Sequence, residues 1–524
     1  MNQGDRMVWS TKGRAFVNAG TGKEESIPCR RALEKRQEAA LRGEGEPVMS
    51  TKRRVIAILL GPVIFAVTVL LLSDLLYTSG AQAVGIALWM IFWWITRPVH
   101  ITVTAAVPII ANAFLNIVPM STIISQYASE SIILIFGSGL LTAPWVAIGL
   151  DRRIALKALS LIGPSMRSQI TVWLIASIVL SNVMPNVAVC AMFTPIAVSM
   201  LAAAGYDDIP SCEPAVPILL AVGWGVSLGG AGSPLGGAMN LAAISFLEEY
   251  TGQEFMYIDW VIRLAPYLIV ATLVLLGCML LMPLKTKTLE GTKEYFRKSY
   301  QELGPMKRDE KICLALFVLA MAGAFLRPLY ADALPYFTPA YVFLALGFLC
   351  FFLTTVEGKF MLTWETAEKE TLWGMMILFA GGLAMGNLLN GSGASGRIAE
   401  IASDLSLDGG LLTVVVLVAF TRLITEMTNG TTAAAVCCPI VIGFATKTGL
   451  NPIPYWFITT MAFNAEFLLP ISVRAIPVAH GLDADKMLKN GIPIALVHML
   501  VVIVFGYAAM KFWPAFSHLS YFAG

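Results

Sequence analysis

Long apolar runs separated by short polar ones fill the chain from residue 55 onward. A helix needs about 20 apolar residues to cross the hydrocarbon core of a bilayer. The runs at 55–73, 82–96, 101–119, 131–150, 257–283, 312–326, 336–355, 371–390 and 491–510 are read as such spans. Four more stretches are long but broken. Residues 169–204 and 409–446 carry Asn, Pro, Gly and Thr at their centres, which predicts re-entrant hairpins with the polar residues at the tips. Residues 215–247 and 453–480 are broken by the glycine-rich run Gly229 to Gly237 and by the segment Pro470 to Pro477, which predicts discontinuous spans. Irregular backbone at membrane depth survives only where protein or a wet cavity satisfies it, so the four breaks imply one shared cavity.

The breaks come in matched pairs. Phe136-Gly137-Ser138-Gly139-Leu140, Arg153-Ile154-Ala155, Pro185-Asn186-Val187-Ala188 and Pro195-Ile196 are answered, about 240 residues later, by Phe379-Ala380-Gly381-Gly382-Leu383, Arg397-Ile398-Ala399, Asn429-Gly430-Thr431-Thr432 and Pro439-Ile440. The expected organisation is an all-α polytopic membrane protein of two inverted repeats, with about eleven crossings and two hairpins. Residues 51–283 hold the first span and first repeat, 284–311 a cytosolic linker, and 312–524 the second repeat. Residues 1–50 are polar, lack a run long enough for a signal peptide, and read as a disordered cytosolic tail. Met49, just before Lys52-Arg53-Arg54, is an alternative start.

Composition agrees: 57% of residues are hydrophobic and 13% charged, against about 25% charged in soluble domains. The formal charge of +2 comes from dispersed basic residues, which gives no nucleic-acid footprint. The eight cysteines lack metal or redox spacing and read as packing residues. Lys and Arg fall in the loops around 52–54, 97, 152–167 and 285–311, while 74–82, 116–130 and 248–256 have none. By the positive-inside rule the N-terminus is cytosolic, the C-terminus is outside, and the chain sits in a plasma (bacterial inner) membrane. A short helix at 152–160 then lies along the inner surface.

Broken helices carry chemistry of their own. The free N–H groups that open a half-helix hold roughly half a positive charge and suit an anion, while free carbonyls suit a cation. Asn186 and Thr431 stand at the tips to cap or to donate to a carboxylate; Ser181 and Thr425 add oxygens, and Gly232 and Ser472 carbonyls, for a cation. Arg422 and Glu426 are four apart and read as a neutralising pair. Glu466 and Arg474 flank the last break; each costs about 2.5–3.5 kcal/mol unpaired at the bilayer centre. They are either partners or functional, and Arg474 is a candidate anion anchor because a guanidinium grips a carboxylate in bidentate fashion. A proton relay through His480 and His498 is the weaker reading. A phosphate loop at Gly229 to Gly237 fails for want of a following Lys. An enzyme would need a nucleophile–base or metal constellation, and the sequence offers none; an anion channel would need a continuous polar stripe.

Asn186, the Gly229 to Asn240 break, Trp93-Trp94-Ile95-Thr96, Gly149-Leu150-Asp151-Arg152-Arg153-Ile154-Ala155 and Thr425-Glu426-Met427-Thr428-Asn429-Gly430-Thr431 together resemble the divalent anion/sodium symporter family over roughly residues 55–510. The resemblance implies a scaffold domain and a transport domain, usually in a homodimer, moving di- or tricarboxylates by an elevator-like motion with sodium as the coupling ion. Sodium-independent exchange and sulfate-like substrates stand behind that reading. The expected substrate residues are Pro185, Asn186, Val187, Asn429, Gly430 and Thr431, the tip positions that the resemblance aligns, together with Arg474 from its charge; the expected sodium ligands are Ser181, Asn186, Gly232, Thr425, Asn429 and Ser472. The chain departs from the family's pattern, which has Ser-Asn-Thr at both tips and a Thr-Pro-Pro-Asn type sequence where Ser472-Val473-Arg474-Ala475-Ile476-Pro477 stands here.

Overall fold

The computed structural model describes residues 7–9, 16–18, 50–206, 208–403 and 408–519. The expected tail lies almost wholly outside them, apart from a short antiparallel pairing of Met7–Trp9 with Phe16–Asn18. From Thr51 on, the named elements are helical, and among the described residues eight helices are long and apolar enough to cross a membrane. Their outer faces are greasy: Leu70 is 82% and Leu71 73% exposed, a surface that suits lipid rather than water.

The first helical run, Thr51–Thr96, is 46 residues long, about twice what a bilayer needs. Tyr77, at φ 58°, folds it in two. Arg54 Nε donates to Pro98 O at 2.8 Å and Trp93 Nε1 to Ala57 O at 3.1 Å, so the halves run antiparallel and form the pair of spans expected at 55–73 and 82–96. Gly61 allows this approach, since a Cβ there would lie 2.2 Å from Trp89 Nε1.

Two expected spans are shorter than read. The run 101–119 splits into Ile101–Thr104 and Val107–Leu115, with Pro108 opening the second piece. Asn112 closes it, its side chain taking the N–H groups of Ile117 and Val118 and donating to Val118 O. The run 336–355 yields a helix only at Pro339–Leu349. Thr338-Pro339 starts it, and the chain turns at Phe351-Phe352 toward the bridge between Thr354 and Phe360. The expected surface helix is present as Leu150–Leu159, where Arg153 is buried against Glu310 at 2.8 Å.

Contacts sort the connections onto two opposite faces. On one, Met166 N–H donates to Lys287 O at 2.9 Å and Lys285 N–H to Glu213 Oε1 at 2.7 Å. On the other, Arg263 Nε donates to Ala515 O at 2.8 Å and Asn451 Nδ2 to Ser517 O at 2.7 Å. The helix Tyr257–Leu280, about 36 Å long at 1.5 Å per residue, joins the faces. Helices Met166–Ser181 and Asn186–Ala203 form a first hairpin that opens to the Lys- and Arg-rich face. Helices Leu411–Met427 and Gly430–Lys447 form a second that opens to the other, where Tyr455 Oη donates to Gly409 O at 2.6 Å.

Each hairpin leans on a broken span. The first packs on Ala215–Gly229, which gives way to short 3-10 turns and resumes at Ala238–Thr251; the second packs on Pro452–Phe463, which resumes at Ala475–Ala479. Trp224 Nε1 donates to Phe467 O at 3.1 Å, tying the two breaks to each other.

Candidate functional site

The tips meet around a cavity of about 430 Å³ lined by Pro185, Asn186 and Val187 of the first hairpin and Asn429, Gly430 and Thr431 of the second. Ser227, Gly237, Phe463, Glu466 and Ser472 come from the broken spans. The far wall is apolar, with Leu134, Phe317, Phe343 and Leu372, and Asp151 and Glu370 also line it. Lys, Arg and His do not appear among its described lining residues.

Pro185 makes the first tip. Its ring cannot continue the preceding helix, and its carbonyl accepts from Ala188 N–H and Val189 N–H at 2.9 and 3.2 Å. The amides of Asn186 and Val187 open the next half-helix at the cavity wall, the positive end of its dipole. Behind them Ser181 Oγ lies 2.6 Å from Asn186 Oδ1 and 2.9 Å from Val226 O. Val226 O also accepts Gly230 N–H, and the Ser181 proton serves one of its two acceptors at a time. Hydroxyl, amide and carbonyl oxygens are the ligand types a hard cation takes.

Gly232 lies against Asn182, in the break where Asn240 Nδ2 donates to the carbonyls of Gly230 and Ser233 at 2.7 and 2.8 Å. Gly230 lies against Asn186, since a Cβ there would stand 2.6 Å from Asn186 Nδ2. Of the predicted cation ligands, Ser181 and Asn186 are in contact, while Gly232 packs against Asn182.

The second tip is organised differently. Asn429 caps its half-helix by accepting Thr432 N–H at 2.9 Å, and Glu466 Oε1 accepts Gly430 N–H at 2.5 Å. Thr425 is buried with its hydroxyl donating to Thr421 O at 2.7 Å, and Ser472 lines the cavity at φ 58°. Among the described residues no hydrogen bond joins Thr425, Asn429 and Ser472, although Asn429 and Ser472 line the same cavity.

Arg474 is turned away from the cavity. Its side chain is fully buried, with Nη1 3.0 Å from Glu426 Oε2 and Nη2 3.0 Å from Glu466 Oε2. Glu426 also meets Arg422 at 2.5 Å and accepts the N–H groups of Phe467 and Leu468. The expected anion anchor is thus corrected: the guanidinium already holds two carboxylates of its own chain, and Arg422, Glu426, Arg474 and Glu466 form a buried, neutral run of alternating charge. Both readings of Arg422 and Glu426 as partners, and of Glu466 and Arg474 as partners, fit this geometry. His498 is likewise engaged, its Nε2 2.7 Å from Tyr267 Oη. His480 sits near the end of the last broken span with Nδ1 2.9 Å from Ile476 O.

Against known proteins, residues 51–518 match the model of the sodium:sulfate symporter transmembrane region. The chain belongs to this family. The resemblance to divalent anion/sodium symporters read from the motifs is borne out, and the chain is a membrane transporter rather than an enzyme. It is 26% identical to the sodium-dependent dicarboxylate transporter SdcS of Staphylococcus saprophyticus over 474 residues, covering 87% of this chain and 91% of that one. The SdcS of Staphylococcus aureus is also 26% identical, over 483 residues. Among solved structures the chain is similar to the YdaH transporter of Alcanivorax borkumensis, 13% identical with a TM-score of 0.47, over 75% of this chain and 88% of that one.

Sequence reasoning missed several residues that line or support the transporter's cavity. Ser227 holds Glu466 by accepting its N–H at 3.0 Å. Asn240 and Asn464, both fully buried, each keep a carboxamide oxygen without a partner among the described residues. Their signal was the helix break that each follows or precedes; the polar residue nearest a break is the one placed at its mouth.

Proposed function

We propose that this chain is a sodium-coupled secondary transporter of small organic anions of the dicarboxylate class. It works as a homodimer in the bacterial inner membrane, N-terminus cytosolic and C-terminus outside, with the two hairpins re-entering the bilayer and the hairpin-bearing part moving against the rest as an elevator. The observation that carries the reading is at Asn186. Its backbone amide, with that of Val187, opens a half-helix toward the cavity, while its side-chain oxygen joins the buried oxygens of Ser181 and Val226. One residue thereby touches an anion position and a cation position, so occupancy of each by its ion favours occupancy of the other. Such coupling is reciprocal and typically amounts to about 1–3 kcal/mol.

The chemistry of the oxygen cluster suits sodium, with Ser181, Asn186 and the Gly232 region as its holders. Thr431, the partly open residue of the second tip, supplies a hydroxyl on the far side of the substrate. Uptake of labelled succinate into proteoliposomes, with an inward sodium gradient and with potassium in its place, tests the reading. Sodium-driven accumulation is expected; equal uptake in both conditions would refute sodium coupling. The SdcS relatives carry sodium dependence and dicarboxylate transport in their names, which supports the same assignment.

A further inference from the structure

The two tips, alike in sequence position, are unequal as anion sites. At the first, the amides of Asn186 and Val187 are open at the cavity wall. At the second, the helix N-terminus is largely occupied by the chain itself: Gly430 N–H goes to Glu466 Oε1 and Thr432 N–H to Asn429 Oδ1. That leaves the Thr431 amide and hydroxyl to face a ligand. Glu466 lines the cavity between them, and it is fixed from behind, by Ser227 on its backbone N–H and by Arg474 on Oε2.

A carboxylate in that position opposes a second carboxylate and favours a hydrogen-bond donor, most of all a cation. Asp151 and Glu370 on the same cavity add to the negative side. Arg474 does not reverse this at the wall, because it is shared with Glu426 and lies behind Glu466, which alone of the four charges lines the cavity. A plain dicarboxylate meets Glu466 with nothing to offer it; a dicarboxylate bearing an amino group between its two acid ends places an ammonium there.

We infer that Glu466 is a specificity-determining residue and that the preferred substrate is an amino-substituted dicarboxylate, of the aspartate type. One carboxylate takes the Asn186 and Val187 amides, the other takes the Thr431 amide and hydroxyl, and the ammonium faces Glu466. This rests on the dicarboxylate reading above and narrows it. Each Glu466 oxygen has one partner within the chain and a lone pair to spare, so a selectivity of tenfold or more follows for a substrate that donates to it over one that presents a second acceptor there.

The test is binding of four ligands to the purified full-length protein in saturating sodium at pH 7.5, by calorimetry or thermal shift: succinate, methylsuccinate, malate and aspartate. Methylsuccinate matches the branch of the last two without a donor. The expected order places aspartate at least tenfold ahead of succinate and methylsuccinate, with malate between. In E466Q the aspartate-to-succinate ratio is expected to fall at least tenfold. Should that variant not fold, the parent series decides alone. Succinate or methylsuccinate binding as tightly as aspartate would overturn the inference and leave the dicarboxylate reading standing. Binding of none of the four would overturn both.

Discussion

Replacing Arg474 with Gln separates a structural ion from a substrate anchor. The guanidinium lies 3.0 Å from a carboxylate on either side, and its side chain is fully buried. At an effective dielectric of about 20, each contact is a gross attraction of about 5.5 kcal/mol, much of it offset by desolvation. Removing the shared cation leaves Arg422 to balance both Glu426 and Glu466, a net charge of −1 in an enclosed run. Breaking a buried pair in this way costs about 3–5 kcal/mol. Arg474→Gln is therefore expected to lower the thermal midpoint of detergent-solubilised protein sharply, whether or not substrate is present. Adding Glu466→Gln restores neutrality, and the double variant should recover part of the loss, with a coupling of about 0.5–3 kcal/mol typical of contacting residues. The assay is thermal unfolding of parent, both single variants and the double variant, followed by uptake in those that fold. An Arg474→Gln protein as stable as the parent but unable to bind the anion would refute the argument and return Arg474 to the anion site.

Three further outcomes follow from the geometry. Asn186→Ala and Thr431→Ala are each expected to cut uptake by tenfold or more with normal membrane expression, and Asn186→Ala should also weaken sodium dependence, since its side chain belongs to the oxygen cluster; uptake kinetics against sodium concentration reads both. Gly230→Ala drives a Cβ to 2.6 Å from Asn186 Nδ2, so it should reproduce the Asn186→Ala phenotype at near-parent stability, and normal uptake would show that Asn186 has room to move. A cysteine beside Arg167 should react with an impermeant maleimide only from the cytosol and one beside Gly409, at exposed Asp408, only from outside; labelling of both from one side would refute the opposed hairpins.

The architecture was legible because the bilayer leaves few choices. Runs of apolar residues become helices, and Asn-, Pro- or Gly-bearing centres become breaks, since backbone polar groups need partners wherever water is absent. Hence the tips at Pro185–Asn186 and Asn429–Gly430 and both discontinuous spans stand where the sequence placed them. The runs 101–119 and 336–355 are apolar enough to read as full spans, but Pro108 and Pro339 act as helix starters, a role that Pro takes as readily as that of breaker.

Charge partners were harder to read. The i,i+4 pair Arg422 and Glu426 lies on one helix and shows in the spacing. The contacts of Glu466 with Gly430, 36 residues away, and of Arg474 with Glu426, 48 residues away, depend on how a hairpin docks on a broken span, which no local pattern encodes. A buried charge announces only that a partner exists; it does not say whether the partner is the substrate or the chain. Here the distinction turns on which side chain reaches the cavity wall. Arg474, the more conspicuous residue, stops one layer short of it, and Glu466, its partner, is the one that meets whatever enters. A site for anions can thus carry a carboxylate in its wall without contradiction, provided the arriving molecule or its coupling ion brings the positive charge.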